Sequence, residues 1–107
     1  MIVRIWHAEI DLKRLEEYLS FAQNTSLAMF RAHAGFVGVF FGRSEQHVAV
    51  ITLWREASDV NALANSPRYA EAVAALEATG LIVSTGGVEI FEVDNHYLEG
   101  AIRRETR

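Results

Sequence analysis

The 107-residue chain contains no cysteine, which excludes disulfide bonds, thiolate metal sites and a cysteine nucleophile. It is also poor in positive charge. Ten lysines and arginines stand against 14 acidic residues, which gives a formal net charge of −4, and Lys13 is the only lysine. Nucleic acids and anionic membrane surfaces usually bind basic patches. Neither is therefore an expected partner of this chain.

Long hydrophobic runs are missing as well. No stretch is long and apolar enough to span a bilayer, and Arg4 and Glu9 interrupt the first apolar segment, so no signal-peptide core is expected. We therefore expect a cytoplasmic protein. The four histidines lack the short His/carboxylate spacing that is typical of a metal site. The sequence therefore gives no case for a metal, and no cofactor is expected either.

The chain does contain four short strand-like segments that are apolar on both faces. A strand that is buried on one side alternates apolar and polar residues, whereas a near-continuous apolar run indicates burial on both sides. Two helices can cover only one face of such a sheet, so the other face needs a partner, most simply a second copy. A homodimer is therefore expected. The predicted strands are Ile2–Ala8, Phe36–Phe41, Val48–Trp54 and Val88–Val93.

Two segments between the strands have helical periodicity. In the first, Asp11 is the predicted cap of an amphipathic helix that ends near His33, and Phe21 is the apolar exception on its polar side. The second is predicted to begin at Ser58 and to be broken at residues 65–67, since Ser66 is a good cap and Pro67 suits the first helical position. The break in this helix is expected to lie near whatever the helix covers.

The element order β-α-β-β-α-β predicts an α+β, ferredoxin-like fold with a four-stranded antiparallel sheet and both helices on one face. Paired through its sheets, such a protein forms a dimeric α/β barrel. One domain over residues 1–93 is expected, in which residues 81–83 form a linker and Gly86-Gly87 a turn before the last strand. The tail, residues 94–107, is predicted to pack partly on the partner subunit. Its docking residues would be Tyr97, Leu98 and Ile102, with Arg103, Arg104 and Arg107 in solvent.

Several local motifs together are similar to a known protein family. They are Ala34-Gly35-Phe36 at the start of the second strand, Val50-Ile51-Thr52-Leu53-Trp54 in the third strand, the Trp-Arg-Glu-Ala-Ser run that follows, and Ser66-Pro67-Arg68-Tyr69 in the broken helix. In this combination the chain resembles the antibiotic biosynthesis monooxygenase family of dimeric α/β barrels. The resemblance covers roughly residues 1–93 and is more specific for the fold than for an activity.

The resemblance implies a pocket between helices and sheet in each subunit. Some members oxidise polycyclic phenols or quinols there without a cofactor, and others degrade haem. The tryptophan of the quinol-oxidising type is matched by Trp54, but its strand asparagine is replaced by Val50. The asparagine, tryptophan and histidine of the haem-degrading type correspond to His7, Leu63 and Val73. Haem degradation is therefore not expected, and Val50, Leu63 and Val73 are predicted to line the pocket.

His7 is the strongest candidate for proton transfer, because imidazole titrates near neutral pH and the surrounding strand is apolar. By alternation it shares a face with Val3 and Ile5, while Arg4 and Trp6 occupy the other face. A base that removes a phenolic proton would produce an electron-rich anion able to react with dioxygen. The alternative is a histidine hydrogen-bonded within the sheet, facing the core or the dimer. Arg4 is interpreted as an interface or barrel-mouth residue, since a charge must reach a partner or water.

Three aromatic residues complete the predicted site. Trp54 ends a strand, where it can either form a pocket wall with a hydrogen-bonding indole or anchor the core. Tyr18 and Tyr69 lie on the inner sides of the helices and can orient a phenolic substrate, or they can simply fill the core with their hydroxyls at its rim.

Three functions are consistent with this pattern. The first is a small cofactor-independent monooxygenase that acts on an aromatic, phenol- or quinol-like molecule. The second is a non-catalytic dimer that binds a small apolar or aromatic ligand. The third is an interaction module whose helix-side space is fully packed. The alanine-rich second helix leaves this choice open, because small residues either leave room or let the helix lie close to the sheet.

Overall fold

The computed structural model describes residues 1–100, which contain one antiparallel sheet with the helices packed on one of its faces. Its strands are β1 (Ile2–Ile10), β2 (Phe36–Ser44), β3 (His47–Trp54) and β4 (Ile82–Glu92). They lie side by side in the order β2-β3-β1-β4, so the first and third strands are central. This is the predicted ferredoxin-like arrangement, in which each βαβ unit contributes one central and one edge strand.

The first helical segment is continuous but not uniform. Its parts are a 3₁₀ turn (Leu12–Arg14), α1 (Leu15–Phe21), a π-helical turn (Ala22–Ser26) and α2 (Leu27–Arg31). The predicted cap is confirmed, since the Asp11 carboxylate accepts a hydrogen bond from the backbone N–H of Lys13 at 3.1 Å. A π-helical turn inside a helix is uncommon and is often found at functional sites. This turn lies beside the cavity described below.

The second helical segment is broken as predicted. It consists of α3 (Ala57–Ala64) and α4 (Pro67–Ala78), with the Ser66 hydroxyl accepting a hydrogen bond from the backbone N–H of Tyr69. The predicted cap at Ser58 is wrong, because Glu56 and Asp59 form a reciprocal capping box that places Ser58 inside α3. No helix in the described part of the chain is long and apolar enough to cross a membrane.

The last strand is longer than predicted. β4 begins at Ile82, so residues 81–83 are not a linker and Gly86-Gly87 is not a turn. The two glycines form a β-bulge instead: His7 pairs with Gly87 and Ala8 with Thr85, which leaves Gly86 as the extra residue. A Cβ on Gly86 would lie only 2.9 Å from the Cβ of His7. The close approach of β1 explains the glycine here, and sequence alone does not show it.

The helices cover the sheet face that carries Arg4 and Trp6. Two buried clusters lie between them and the sheet, one around Trp54 and Leu63 and the other around Tyr18 and Leu81. The opposite face has no cover within the described residues. It carries an apolar patch that we call the open sheet face, and two of its members, Phe40 and Phe91, are 45% and 50% exposed. The open sheet face consists of Val3, Ile5, Phe40, Ile51, Leu53 and Phe91.

Residues 94–100 contain no helix or strand, and Tyr97 is 78% exposed. The division into a domain of residues 1–93 and a tail of residues 94–107, and the docking of that tail on a partner subunit, stay predictions. The predicted positions of Ile102, Arg103, Arg104 and Arg107 lie outside the described residues.

We expect Gly35→Ala to lower the free energy of unfolding by about 2 kcal/mol or more. Gly35 has a φ of 81°, a left-handed conformation that costs other residues roughly 1–3 kcal/mol. A Cβ there would also overlap the Asp59 carboxylate that accepts the Glu56 N–H of the capping box. Urea unfolding followed by circular dichroism measures the loss. Gly42→Ala is the control, because the nearest atom to its Cβ is a carbonyl oxygen at 3.8 Å. Equal losses in both variants would contradict this explanation.

Candidate active site

A cavity of about 120 Å³ lies between the sheet and the segments α1, α2 and α4. Most of its wall is apolar or aromatic, and its polar groups come from a few side chains that converge from different elements. An apolar cavity of roughly 150 Å³ is large enough to bind benzene. The enclosed space therefore matches about one aromatic ring. Among its lining residues are Arg4, Trp6, Tyr18, Phe21, Phe30, Phe41, Val50, Tyr69, Val73 and Glu77.

Arg4 is the most unusual residue in this wall. It lies in the middle of the sheet and is only 6% exposed. Its Nη2 donates a hydrogen bond to the Tyr69 hydroxyl at 2.8 Å, and its guanidinium carbon lies 5.3 Å from the centroid of the Tyr69 ring. The two side chains are 65 positions apart in the chain. The fold therefore builds this pair from β1 and the first turn of α4.

Tyr18 is the second hydroxyl at the cavity. Its side chain is buried, and burial raises its pKa to about 12. The phenol therefore stays protonated at neutral pH, where it can donate or accept a hydrogen bond but cannot act as a base. No buried polar side-chain atom in residues 1–100 lacks a partner, and no partner is found for this hydroxyl. The oxygen of Tyr18 therefore borders open space in the cavity rather than protein.

The cavity reaches solvent between α4 and β4. Glu77 of α4 and Thr85 of β4 both line it, and both side chains are exposed. The remaining wall on this side is formed by Leu76 and Ile82, which are partly buried. A ligand can thus enter beside a carboxylate and extend inward toward Arg4.

Four of the residues predicted from the sequence line this cavity: Tyr18, Val50, Tyr69 and Val73. Leu63 does not, because it is fully buried on the inner side of α3, in the cluster around Trp54. Trp54 is also fully buried and does not line the cavity. Its indole N–H donates to the hydroxyl of Thr52 at 2.8 Å, so it is not free to donate to a ligand.

His7, the residue predicted for proton transfer, does not line this cavity. The helices cover the face that carries Arg4 and Trp6. The side chain of His7 lies on the other, uncovered face, beside the apolar patch that we call the open sheet face. There its Nε2 is 3.0 Å from a carboxylate oxygen of Glu89 and its Nδ1 is 3.2 Å from Nε2 of His47. The pairing is that of a sheet histidine with hydrogen-bond partners, the alternative considered above.

Arg4, Trp6 and Phe21 line the cavity although sequence reasoning did not place them there. Two features of the sequence could have indicated them: Phe21 lies on the polar side of its helix, and Arg4 is a charged residue within an otherwise apolar strand. Both are residues that break a local pattern, as expected where a site replaces packed core. Within residues 1–100 no three histidine, aspartate or glutamate side chains lie close enough together to hold a metal ion.

The sequence matches no protein-family model, and no curated protein matches it. Solved structures do match. The fold is similar to that of SnoaB, a cofactor-independent oxygenase from Streptomyces nogalater, with 18% sequence identity, a TM-score of 0.71 and coverage of 92% of this chain and 97% of SnoaB. A Nitrosomonas europaea protein of unknown function has 19% identity and a TM-score of 0.73, covering 94% and 95% of the two chains.

A candidate antibiotic biosynthesis monooxygenase from Deinococcus radiodurans has the same fold, with a TM-score of 0.75 at 10% identity over 94% of this chain and all of that one. The fold is thus that of the antibiotic biosynthesis monooxygenases, and the resemblance predicted from the sequence is confirmed at the level of fold.

Proposed function

We propose that this protein is a small cofactor-independent monooxygenase that acts on an aromatic, phenol- or quinol-like molecule in the cavity between sheet and helices. The main observation that supports this proposal is the cavity itself, which has an aromatic wall and the hydroxyls of Tyr18 and Tyr69. A mostly apolar cleft with a few convergent polar groups is the usual form of a small-molecule site. The likeness to SnoaB supports the reaction class.

The enclosed volume is close to that of one ring, and a hydroquinone illustrates the reaction. Loss of a phenolic proton makes an electron-rich anion, which reacts with dioxygen at a ring carbon. One oxygen atom stays on that carbon, the second leaves as water with two hydrogen atoms of the quinol, and the product is the hydroxyquinone. The protein's part is to bind and orient the ring, since proximity and orientation lower the barrier. The proton leaves toward solvent at the mouth beside Glu77.

The active species in this proposal is a homodimer joined through the open sheet face. Monomeric proteins rarely expose such a large contiguous apolar patch, and a stable interface of this kind buries about 2,000 Å² or more in total. Because the cavity lies on the helix side of the sheet, each subunit would keep its own site. The dimer therefore supports the structure around the cavity without closing it.

One observation favours the second function, a dimer that binds an aromatic molecule without converting it. No histidine is among the described residues that line the cavity, Tyr18 stays protonated, and the lining carboxylate, Glu77, is exposed at the mouth, so no general base lies at the inner wall. The third function, a fully packed interaction module, is less well supported because the helix-side space contains a cavity.

We expect Ala72→Phe to lower oxygen uptake strongly. Ala72 lines the cavity from α4 and is partly buried, so a phenyl group there would fill a space of one-ring size. An oxygen electrode with hydroquinones, phenols and naphthols measures turnover, and naphthols should be poorer substrates than single-ring quinols. The expected loss is at least tenfold. Ala74→Phe is the matched control, because Ala74 lies on the same helix, is exposed and does not line the cavity.

His7→Ala distinguishes this site from the one predicted by sequence. We expect its turnover per subunit to equal that of the wild type, since His7 lies across the sheet from the cavity. A loss of 10²-fold or more, as removal of a general base produces, would return the catalytic role to His7. If the wild type consumes no oxygen with any of these compounds, the monooxygenase is refuted and the non-catalytic binding function is favoured. If Ala72→Phe is fully active, the cavity is not the active site.

A further inference from the structure

The guanidinium of Arg4 borders the cavity and has a single side-chain partner in the described residues. An arginine side chain has five N–H donors, and the described residues provide one side-chain acceptor, the hydroxyl of Tyr69. The ion pairs found in residues 1–100 are His7–Glu89 and Arg14–Glu17, so no carboxylate lies within 4 Å of Arg4. No buried side-chain nitrogen or oxygen in residues 1–100 lacks a hydrogen-bond partner, so the guanidinium nitrogens without an acceptor border the open cavity, where a ligand can reach them.

The other groups around the cavity do not neutralise this charge. Tyr18 is uncharged because burial raises its pKa. In the sheet, Arg4 lies between Thr52 of β3 and Ile90 of β4, neither of which carries a charge. Glu77 is the acidic lining residue, but it is exposed at the mouth. The cavity thus carries the positive charge of Arg4 at its inner wall, and its opening lies near the solvated carboxylate of Glu77.

The structure assigns Arg4, together with Tyr69, as the anchor for an oxyanion carried by a single-ring aromatic ligand, either a carboxylate or an ionised phenol. A guanidinium is planar and pairs with a carboxylate through two parallel hydrogen bonds, and such charge-assisted pairs are strong in a dry site. The Tyr69 oxygen accepts from Arg4, which leaves its own hydroxyl proton to donate to the same anion. The inference rests on the proposed function only for the location of the site.

Isothermal titration calorimetry with non-oxidisable probes tests this anchor. Benzoate represents the carboxylate, 4-nitrophenolate the ionised phenol, and benzyl alcohol the neutral ring of similar size. We expect the wild type to bind at least one of the two anions about tenfold or more tighter than benzyl alcohol. Because hydrogen bonds to charged groups contribute strongly, Arg4→Met should lose this preference, and Tyr69→Phe should weaken anion binding about tenfold.

Arg68→Met is the matched control. Arg68 precedes Tyr69 on α4 and is exposed, so the variant changes the net charge equally without touching the cavity wall, and it should bind like the wild type. Arg4→Lys keeps the charge but not the planar fork, and an intermediate affinity for benzoate is expected. If Arg4→Met does not fold, the loss in Tyr69→Phe carries the test. Equal binding of anion and alcohol by the wild type, or unchanged anion binding in Arg4→Met, would overturn the anchor.

These outcomes are separate from those of the oxygen-uptake experiment. Anion binding that depends on Arg4, without oxygen uptake on any quinol, would support the anchor and refute the monooxygenase. Oxygen uptake that is unchanged in Arg4→Met, with no preference for anionic probes, would support the monooxygenase and refute the anchor.

Discussion

The Ile51→Glu variant is expected to be a monomer at protein concentrations at which we expect the wild type to be a dimer. Ile51 lies at the centre of the open sheet face, directly opposite Ile5 of β1 on one side and Phe40 of β2 on the other. A two-fold interface would bury one carboxylate from each subunit. An unpaired buried charge costs roughly 3 kcal/mol or more, so the dissociation constant should rise at least about 100-fold. Sedimentation equilibrium measures it.

Leu12→Glu is the matched control for this experiment. Leu12 is 46% exposed at the start of the first helical segment, on the helix side of the sheet. The Leu12→Glu variant adds the same charge at an exposed apolar position. The dissociation constant of its dimer should therefore equal that of the wild type. A stable wild-type monomer at micromolar concentration would refute the dimer. A dimeric Ile51→Glu variant would show that subunits associate through another surface.

Trp54→Ala is expected to lower the free energy of unfolding by about 3–5 kcal/mol, as large-to-small changes of buried aromatic residues do. The ring is fully buried and lies edge-on to Phe30 and Phe36, with centroid distances of 6.4 and 5.6 Å. Its loss also leaves the buried hydroxyl of Thr52 without the indole donor. Since folded domains are stable by only about 5–15 kcal/mol, this is a large fraction of the total. Urea unfolding at one fixed protein concentration measures it.

Trp6→Ala provides the contrast, because Trp6 is partly buried and lines the cavity. We expect a smaller loss of stability, about 1–2 kcal/mol, together with weaker binding of benzoate. The folded fraction of Trp54→Ala should bind benzoate like the wild type. If Trp54→Ala lost ligand binding while keeping its stability, Trp54 would be a pocket wall, as the family resemblance implied, and not a core anchor.

Much of the fold is determined by local sequence. Apolar runs define the first three strands to within a few residues, because a buried strand excludes polar residues from both faces. Ser66 and Pro67 define the break between α3 and α4, since a proline at the first helical position and a serine cap act within one turn of backbone. The β-α-β-β-α-β order then leaves few topologies, and the ferredoxin-like sheet is the one observed.

The boundaries of β4 depend on a distant segment. Gly86-Gly87 is read as a turn from local sequence, and only the pairing of β4 with β1 shows that the two glycines form a bulge beside His7. The same holds for Tyr69 and Arg4, whose hydrogen bond joins residues 65 positions apart. Contacts of this kind have no signature in a short window of sequence.

The sequence by itself determined which residues of β1 share a face: Val3, Ile5 and His7 on one side, Arg4 and Trp6 on the other. It did not determine which of these faces the helices cover. Both faces are apolar enough to be buried, so alternation leaves the two choices nearly equal in hydrophobic free energy. The tertiary structure decided it by packing α1, α2 and α4 over Arg4 and Trp6, where Tyr69 accepts a hydrogen bond from the arginine. That choice moved the candidate site from the histidine of β1 to its arginine.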